Sequence, residues 1–132
     1  MTDPNPPVRL ILDRSALVAY AVGSMHAAEP IHQVVENQAR IGVSVAALSD
    51  TLAQLDDPQD RAALNELVGS DACEPLPVHA DTWQELAYWQ RVTGRLDLAA
   101  GVLAVIEHDC WILTAEPKLY GDGIPLVEIP DL

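Results

Sequence analysis

Positive charge is scarce in this chain. Its 132 residues include 7 Lys and Arg, only one of them a lysine (Lys118), against 20 Asp and Glu, for a formal net charge of −13. Broad, sequence-blind nucleic-acid binding depends on neutralising phosphates with Lys and Arg, so this balance argues against it. It suits a hard metal cation or a basic protein partner, and it is equally what an ordinary acidic surface looks like. Cysteine is nearly absent. Cys73 and Cys110 are far apart and unaccompanied, and read as reduced thiols rather than a disulfide framework or a zinc site. No apolar run is long enough to span a bilayer. There is no Gly-rich phosphate loop, no Ser nucleophile elbow, no Cys/His pair, and no ligand spacing among His26, His32, His79 and His108. Residues 1–7 are polar and Pro-rich, without the basic start and apolar core of a signal peptide. They are expected to be a disordered leader, and residues 8–132 one domain of a cytoplasmic protein.

What is present is apolar patterning. At 49% apolar residues the chain has the material for a core rather than for disorder. The run 8–12, Val-Arg-Leu-Ile-Leu, stops at Asp13, and a helical run follows over 16–22. So short an apolar run reads as a strand buried on both faces, the kind found in parallel sheets. Ser15 stands where a hydroxyl can cap the helix, and Asp13 is either a second candidate for that task or a functional group at the strand's carboxyl end. Pro30 is expected to open a second helix that closes at Gly42. The pattern then gives a strand over 43–47, a helix capped by Ser49, a helix over 58–69, and a Pro-containing edge strand over 74–78. A helix over 79–91 is expected to turn Trp83, Leu86 and Ala87 inward. A very apolar helix over 98–107 follows Asp97, and strands over 111–114 and 126–129 complete the chain. Alternating strands and helices specify an α/β fold of three layers, α/β/α, around a mostly parallel sheet of about five strands.

Four acids fall near strand or helix ends: Asp13 after the first strand, Asp50 in the helix after the second, Asp97 before the apolar helix, and Glu116 after the fourth strand. In a parallel sheet the carboxyl ends share one edge. Carboxylates gathered there repel each other unless a hard cation such as Mg²⁺ or Mn²⁺ neutralises them through oxygen ligands. On that logic, neutralising Asp13 is expected to relieve repulsion at little cost to the fold.

The same residues carry a family resemblance. Leu10-Ile11-Leu12-Asp13-Arg14-Ser15-Ala16-Leu17 is similar to the opening motif of PIN domains, the nuclease fold of VapC-like toxins in bacterial toxin–antitoxin pairs. Residues 43–50 resemble the segment that carries the family's second acid, and residues 97–117 resemble its closing motif. The likeness spans residues 8–129. Asp50 is shorter than the usual Glu, Glu116 longer than the usual Asp, and Arg14 replaces a small hydroxyl residue. The third acid aligns at Asp97 or, in a second register, one position nearer Thr114, where the chain has Leu98. The resemblance implies a divalent-metal-dependent ribonuclease, with Asp13, Asp50, Asp97 and Glu116 holding Mg²⁺ or Mn²⁺ and Ser15 orienting a carboxylate or water. It implies an RNA substrate and an antitoxin partner. The departures fit equally a catalytically weak or inactive PIN-like protein that works by binding partners.

Arg14, Arg91, Arg95 and Lys118 place most of the scarce positive charge beside these acids, either to position phosphates or as surface pairs worth little. Trp83 and Trp111 are expected in the core. Apolar helices over 16–22 and 98–106 offer more buried face than one small sheet needs, which with the family's habit of pairing predicts a homodimer.

Overall fold

The computed structural model describes residues 6–130. The order along the chain is β1 (Val8–Leu12), α1 (Arg14–Ala21), α2 (Met25–Glu36), β2 (Arg40–Ser44), α3 (Val45–Gln54), α4 (Pro58–Val68), β3 (Cys73–Leu76), α5 (Trp83–Thr93), α6 (Leu96–His108), β4 (Trp111–Thr114) and β5 (Leu126–Glu128). The strands form one sheet in the order β3-β2-β1-β4-β5, and every pairing is parallel. Helices cover both faces, giving the three-layer α/β/α architecture that the alternation of patterns specifies.

Strand β1 lies at the centre and divides its side chains between two cores. Leu10 and Leu12 join Leu17, Ile31, Val43, Leu64 and Leu113 on one face. Ile11 joins Leu98, Val102, Ile112 and Tyr120 on the other. Strict alternation would put Val8 with Leu10, yet it packs with Ile11; the pairing register shifts between Val8 and Leu10, and Arg9 turns to solvent. Beside its pairing with β1, β2 is tightly packed around Gly42. A Cβ at Gly42 would come within 2.8 Å of Leu76, 2.9 Å of Val8 and 3.0 Å of Ile11, so any larger residue must push those side chains aside.

Several boundaries differ from the sequence reading, for one recurring reason: an earlier hydroxyl takes the cap. Ser24, not Pro30, starts α2, accepting the Ala27 N–H, and Pro30 lies inside the helix. The helix closes at Asn37 rather than Gly42. Gln38 takes a positive φ of 60°, and its N–H and that of Ala39 return to Val35 and Val34, the paired bonds of a Schellman end. Ser44, not Ser49, caps α3, so β2 ends there and residues 45–47 are helical. Of the expected leader, residues 1–5 lie outside the described residues. Residues 6 and 7 are tied down: the Pro6 carbonyl accepts Nε of Arg40 and the Pro7 carbonyl accepts its backbone N–H.

Trp83 and Trp111 are exposed, against expectation, while Trp89 and Thr93 turn α5 toward the core. Ala16, Leu17 and Ala21 of α1 and residues 97–102, 104 and 105 of α6 pack within the chain, while Val22 and Ile106 stay exposed. Among the described residues, no helix is long and apolar enough to cross a membrane.

Candidate acidic site at the carboxyl edge

In a sheet whose pairings are all parallel, strand carboxyl ends share an edge. Helices returning from that edge begin there. Asp13 follows β1, Thr114 ends β4, Glu116 comes two residues later, and Asp97 sits in the first turn of α6. The amino end of α6 therefore delivers Asp97 to the same edge.

Asp13 is the N-cap of α1 and is only 1% exposed. Its Oδ1 accepts the Ala16 N–H at 2.9 Å and the Ser15 hydroxyl at 2.6 Å, and its Oδ2 accepts the Tyr120 hydroxyl at 2.7 Å. The cap is thus Asp13, not Ser15. Ser15 instead bridges: while donating to Asp13 it accepts the Ala115 N–H at 2.8 Å, stitching α1 to the exit of β4. Burial pushes the Tyr120 phenol well above its ordinary range, and the charge of Asp13 adds to the shift, so the hydroxyl stays a donor. Three donors on a buried carboxylate mean that Asp13 is held, not strained. Neutralising it removes an acceptor rather than relieving repulsion, which reverses the sequence-based expectation.

The second knot centres on Arg95, the residue before α6. Asp97 is 2% exposed, and its carboxylate takes a two-pronged contact from Arg95, Nε to Oδ1 at 3.0 Å and Nη2 to Oδ2 at 2.9 Å. The remaining nitrogen, Nη1, reaches both oxygens of Glu116 at 3.3 and 3.1 Å. The hydrogen bond to Asp97 raises the Arg95 pKa further, against the opposing pull of burial, so the guanidinium remains charged. Thr114 fixes Glu116 by accepting its backbone N–H at 2.9 Å.

The structure brings Asp13, Ser15, Asp97 and Glu116 to one edge, while the ion pair of Asp50 is with Arg14, the residue after Asp13. Because α3 starts at Val45, Asp50 lies in its second turn, half-exposed, with an Arg14 guanidinium 3.7 Å away. Leu98 is fully buried among Val102, Ile112 and Tyr120, so it is Asp97 that faces the edge. Arg91 and Lys118 are exposed. The sequence reading missed Tyr120 altogether and did not see that Arg95 points inward. Tyr120 has no local signature, because it meets Asp13 only through the fold; Arg95 has one partner, Asp97, close in sequence and another, Glu116, that only the fold brings to it.

Among the described residues, no three His, Cys, Asp or Glu side chains group as a metal cage. In chemistry the donor set suits a hard cation, since it is all carboxylate oxygen. Two of the carboxylates already converge on one positive charge, and that charge is the head of Arg95.

No family model matches the chain, and no curated protein matches it. Among solved structures it is similar to the crystal structure of PAE2754 from Pyrobaculum aerophilum, at 15% identity and a TM-score of 0.59, over 96% of this chain and 93% of that one. A likeness at that identity carries the fold.

Proposed function

We propose that the protein is a divalent-metal-dependent ribonuclease of the PIN type, acting in the cytoplasm. One observation supports this reading above the rest: Asp97 and Glu116, from opposite ends of the α6–β4 segment, converge on a single cationic group at the sheet edge where Asp13 is buried. A buried carboxylate is costly to maintain without a charge partner or hydrogen-bond donors; at this edge Asp13 has three donors and Asp97 the Arg95 cation. In this reading Asp13, Asp97 and Glu116 hold Mg²⁺ or Mn²⁺. Bound there, such an ion supplies a Lewis acid that offsets charge developing on an RNA phosphodiester. The chain's own residues do the rest. Tyr120 and Ser15 fix both oxygens of Asp13, Thr114 fixes the backbone that carries Glu116, and exposed Lys118, with Arg14 where it leaves its pair with Asp50, would meet phosphates. RNA as substrate, an antitoxin as inhibitory partner and pairing into a homodimer belong to the same proposal and rest on the motif resemblance.

A second reading has its own support. Arg95 fills the meeting point of Asp97 and Glu116, and Asp50 pairs with Arg14 instead. Both features suit a PIN-like domain that acts by binding partners, without catalysis. The test is Mn²⁺-dependent cleavage of a defined RNA by contaminant-controlled protein, wild type against Glu116→Gln. Cleavage by the wild type and its loss in the variant favours the ribonuclease. No cleavage, or equal cleavage by both, gives preference to the binding protein.

A further inference from the structure

We infer that Arg95 is a built-in counter-cation, a latch that holds the acidic edge closed and must swing out before a divalent ion enters. The inference takes the identity of the incoming ion from the ribonuclease reading; the latch itself comes from geometry.

The guanidinium engages four carboxylate oxygens at once. Nε and Nη2 span Asp97, and Nη1 lies between the two oxygens of Glu116. A planar fork suits such bidentate contact, and a point charge does not. No oxygen of either acid is left free of Arg95.

The side chain can leave without moving the fold. The Arg95 backbone is extended, at φ −143° and ψ 143°, and its carbonyl is pinned twice, by the Thr93 hydroxyl at 3.1 Å and by the Ala99 N–H at 3.1 Å. The side chain is 24% exposed, so its head is within reach of water. Rotation about its own χ angles is enough, and such motions are fast compared with chain rearrangement. Asp97, in contrast, is on a buried turn and cannot follow.

That asymmetry makes the exchange obligatory. With Arg95 out and nothing in its place, Asp97 would be a buried, unpaired charge, a state proteins avoid. The open form is therefore populated only when another cation takes the position. Apparent metal affinity is then lowered by the fraction of molecules in the open form. A chain that is latched most of the time binds Mn²⁺ weakly at rest and tightly once Arg95 is removed.

The experiment measures Mn²⁺ binding to the full-length protein by calorimetry, in wild type, Arg95→Gln and Arg95→Lys, with melting temperature of the metal-free protein alongside. Arg95→Gln should bind Mn²⁺ at least about tenfold more tightly than wild type, while its metal-free form melts lower. Arg95→Lys, which keeps one charge but loses the fork, should fall between them, and it decides the matter if Arg95→Gln does not fold. Added methylguanidinium at millimolar concentration should compete with Mn²⁺ in Arg95→Gln and not in wild type, a response that a merely structural arginine would not give. Equal Mn²⁺ affinity in wild type and the variants overturns the latch and leaves the ribonuclease reading standing. Absence of Mn²⁺ binding in all of them overturns both.

Discussion

The Tyr120 hydroxyl donates to Oδ2 of Asp13 at 2.7 Å, across 107 positions of sequence. Asp13 closes the central strand and caps the first helix; Tyr120 belongs to the 3-10 turn Pro117–Tyr120 that follows Glu116. One bond thus ties the first acid of the edge to the segment carrying the last. It is buried at both ends, so it serves stability and site geometry together.

Tyr120→Phe keeps the ring and removes that donor. Oδ2 of Asp13 is then a buried acceptor with no partner. The expected loss is about 1–3 kcal/mol, or roughly 3–6 °C in melting temperature per kcal/mol for a domain of this size. Urea denaturation of the two proteins measures it, and an unchanged midpoint would show that the bond contributes nothing net.

Asp13→Asn is expected to destabilise as well, again by about 1–3 kcal/mol. An amide offers one acceptor oxygen where the carboxylate offered two, and its NH₂ would face the Tyr120 hydroxyl or the Ser15 and Ala16 donors. A metal-free protein that melted higher after this change would restore the picture of mutually repelling carboxylates.

How much of this was legible in sequence follows from what is local. The alternation of β1, α1 and β4 with their neighbours is a local pattern, and it carries the α/β class and the common edge. The start of α3 was not legible, because Ser44 and Ser49 are both hydroxyl residues ahead of an apolar stretch and periodicity over so few residues suits strand and helix alike. That one boundary puts Asp50 in the second turn of α3 rather than the first, where its ion pair is with Arg14. The aim of Arg95 was hidden for another reason. A residue preceding a helix can point to solvent or back over the first turn; Asp97 two residues on and Glu116, which only the fold supplies, together favour the inward direction. Trp83 and Trp111 show the same limit: residue type suggested burial, and neighbours decided against it.

Gly42→Ala tests the tight side-chain packing around β2. The new methyl would stand 2.8–3.0 Å from Leu76, Val8 and Ile11. Overpacking of this kind costs about 1–3 kcal/mol. A variant with unchanged stability would mean that the Leu76 and Ile11 side chains simply rotate aside.

The two thiols give a pH dependence. Burial pushes both Cys73 and Cys110 from an ordinary 9.0 to about 11; the charge of Glu74 adds to the first, while at the second Arg9 opposes and Asp109 adds. The folded state therefore keeps these protons after the unfolded chain has lost them. Their contribution to stability is fully present below pH 9 and is lost as pH rises from about 9 to 11. Melting temperature should fall over that window, and less steeply in Cys73→Ala/Cys110→Ala. At pH 8 both thiols should react with a disulfide reagent only as fast as the protein opens; immediate modification of either would contradict its burial.

The last prediction separates a centre built on all four acids from one that excludes Asp50. Asp50 is half-exposed and touches only Arg14, at 3.7 Å, among the ion pairs of the described residues. A surface pair of that kind contributes about 0–1 kcal/mol, so Asp50→Asn should leave the melting temperature nearly unchanged. Asp97 is buried and held by the Arg95 fork, so Asp97→Asn should lower stability and also remove a carboxylate charge from the edge. Their effects on Mn²⁺ affinity should diverge in the same way, with Asp97→Asn weakening binding by tenfold or more, about 1.4 kcal/mol or more, and Asp50→Asn changing it by much less. The comparison is best made in the Arg95→Gln background, where no internal cation competes and both variants report on the ion directly. Equal losses from the two substitutions would place Asp50 among the ligands.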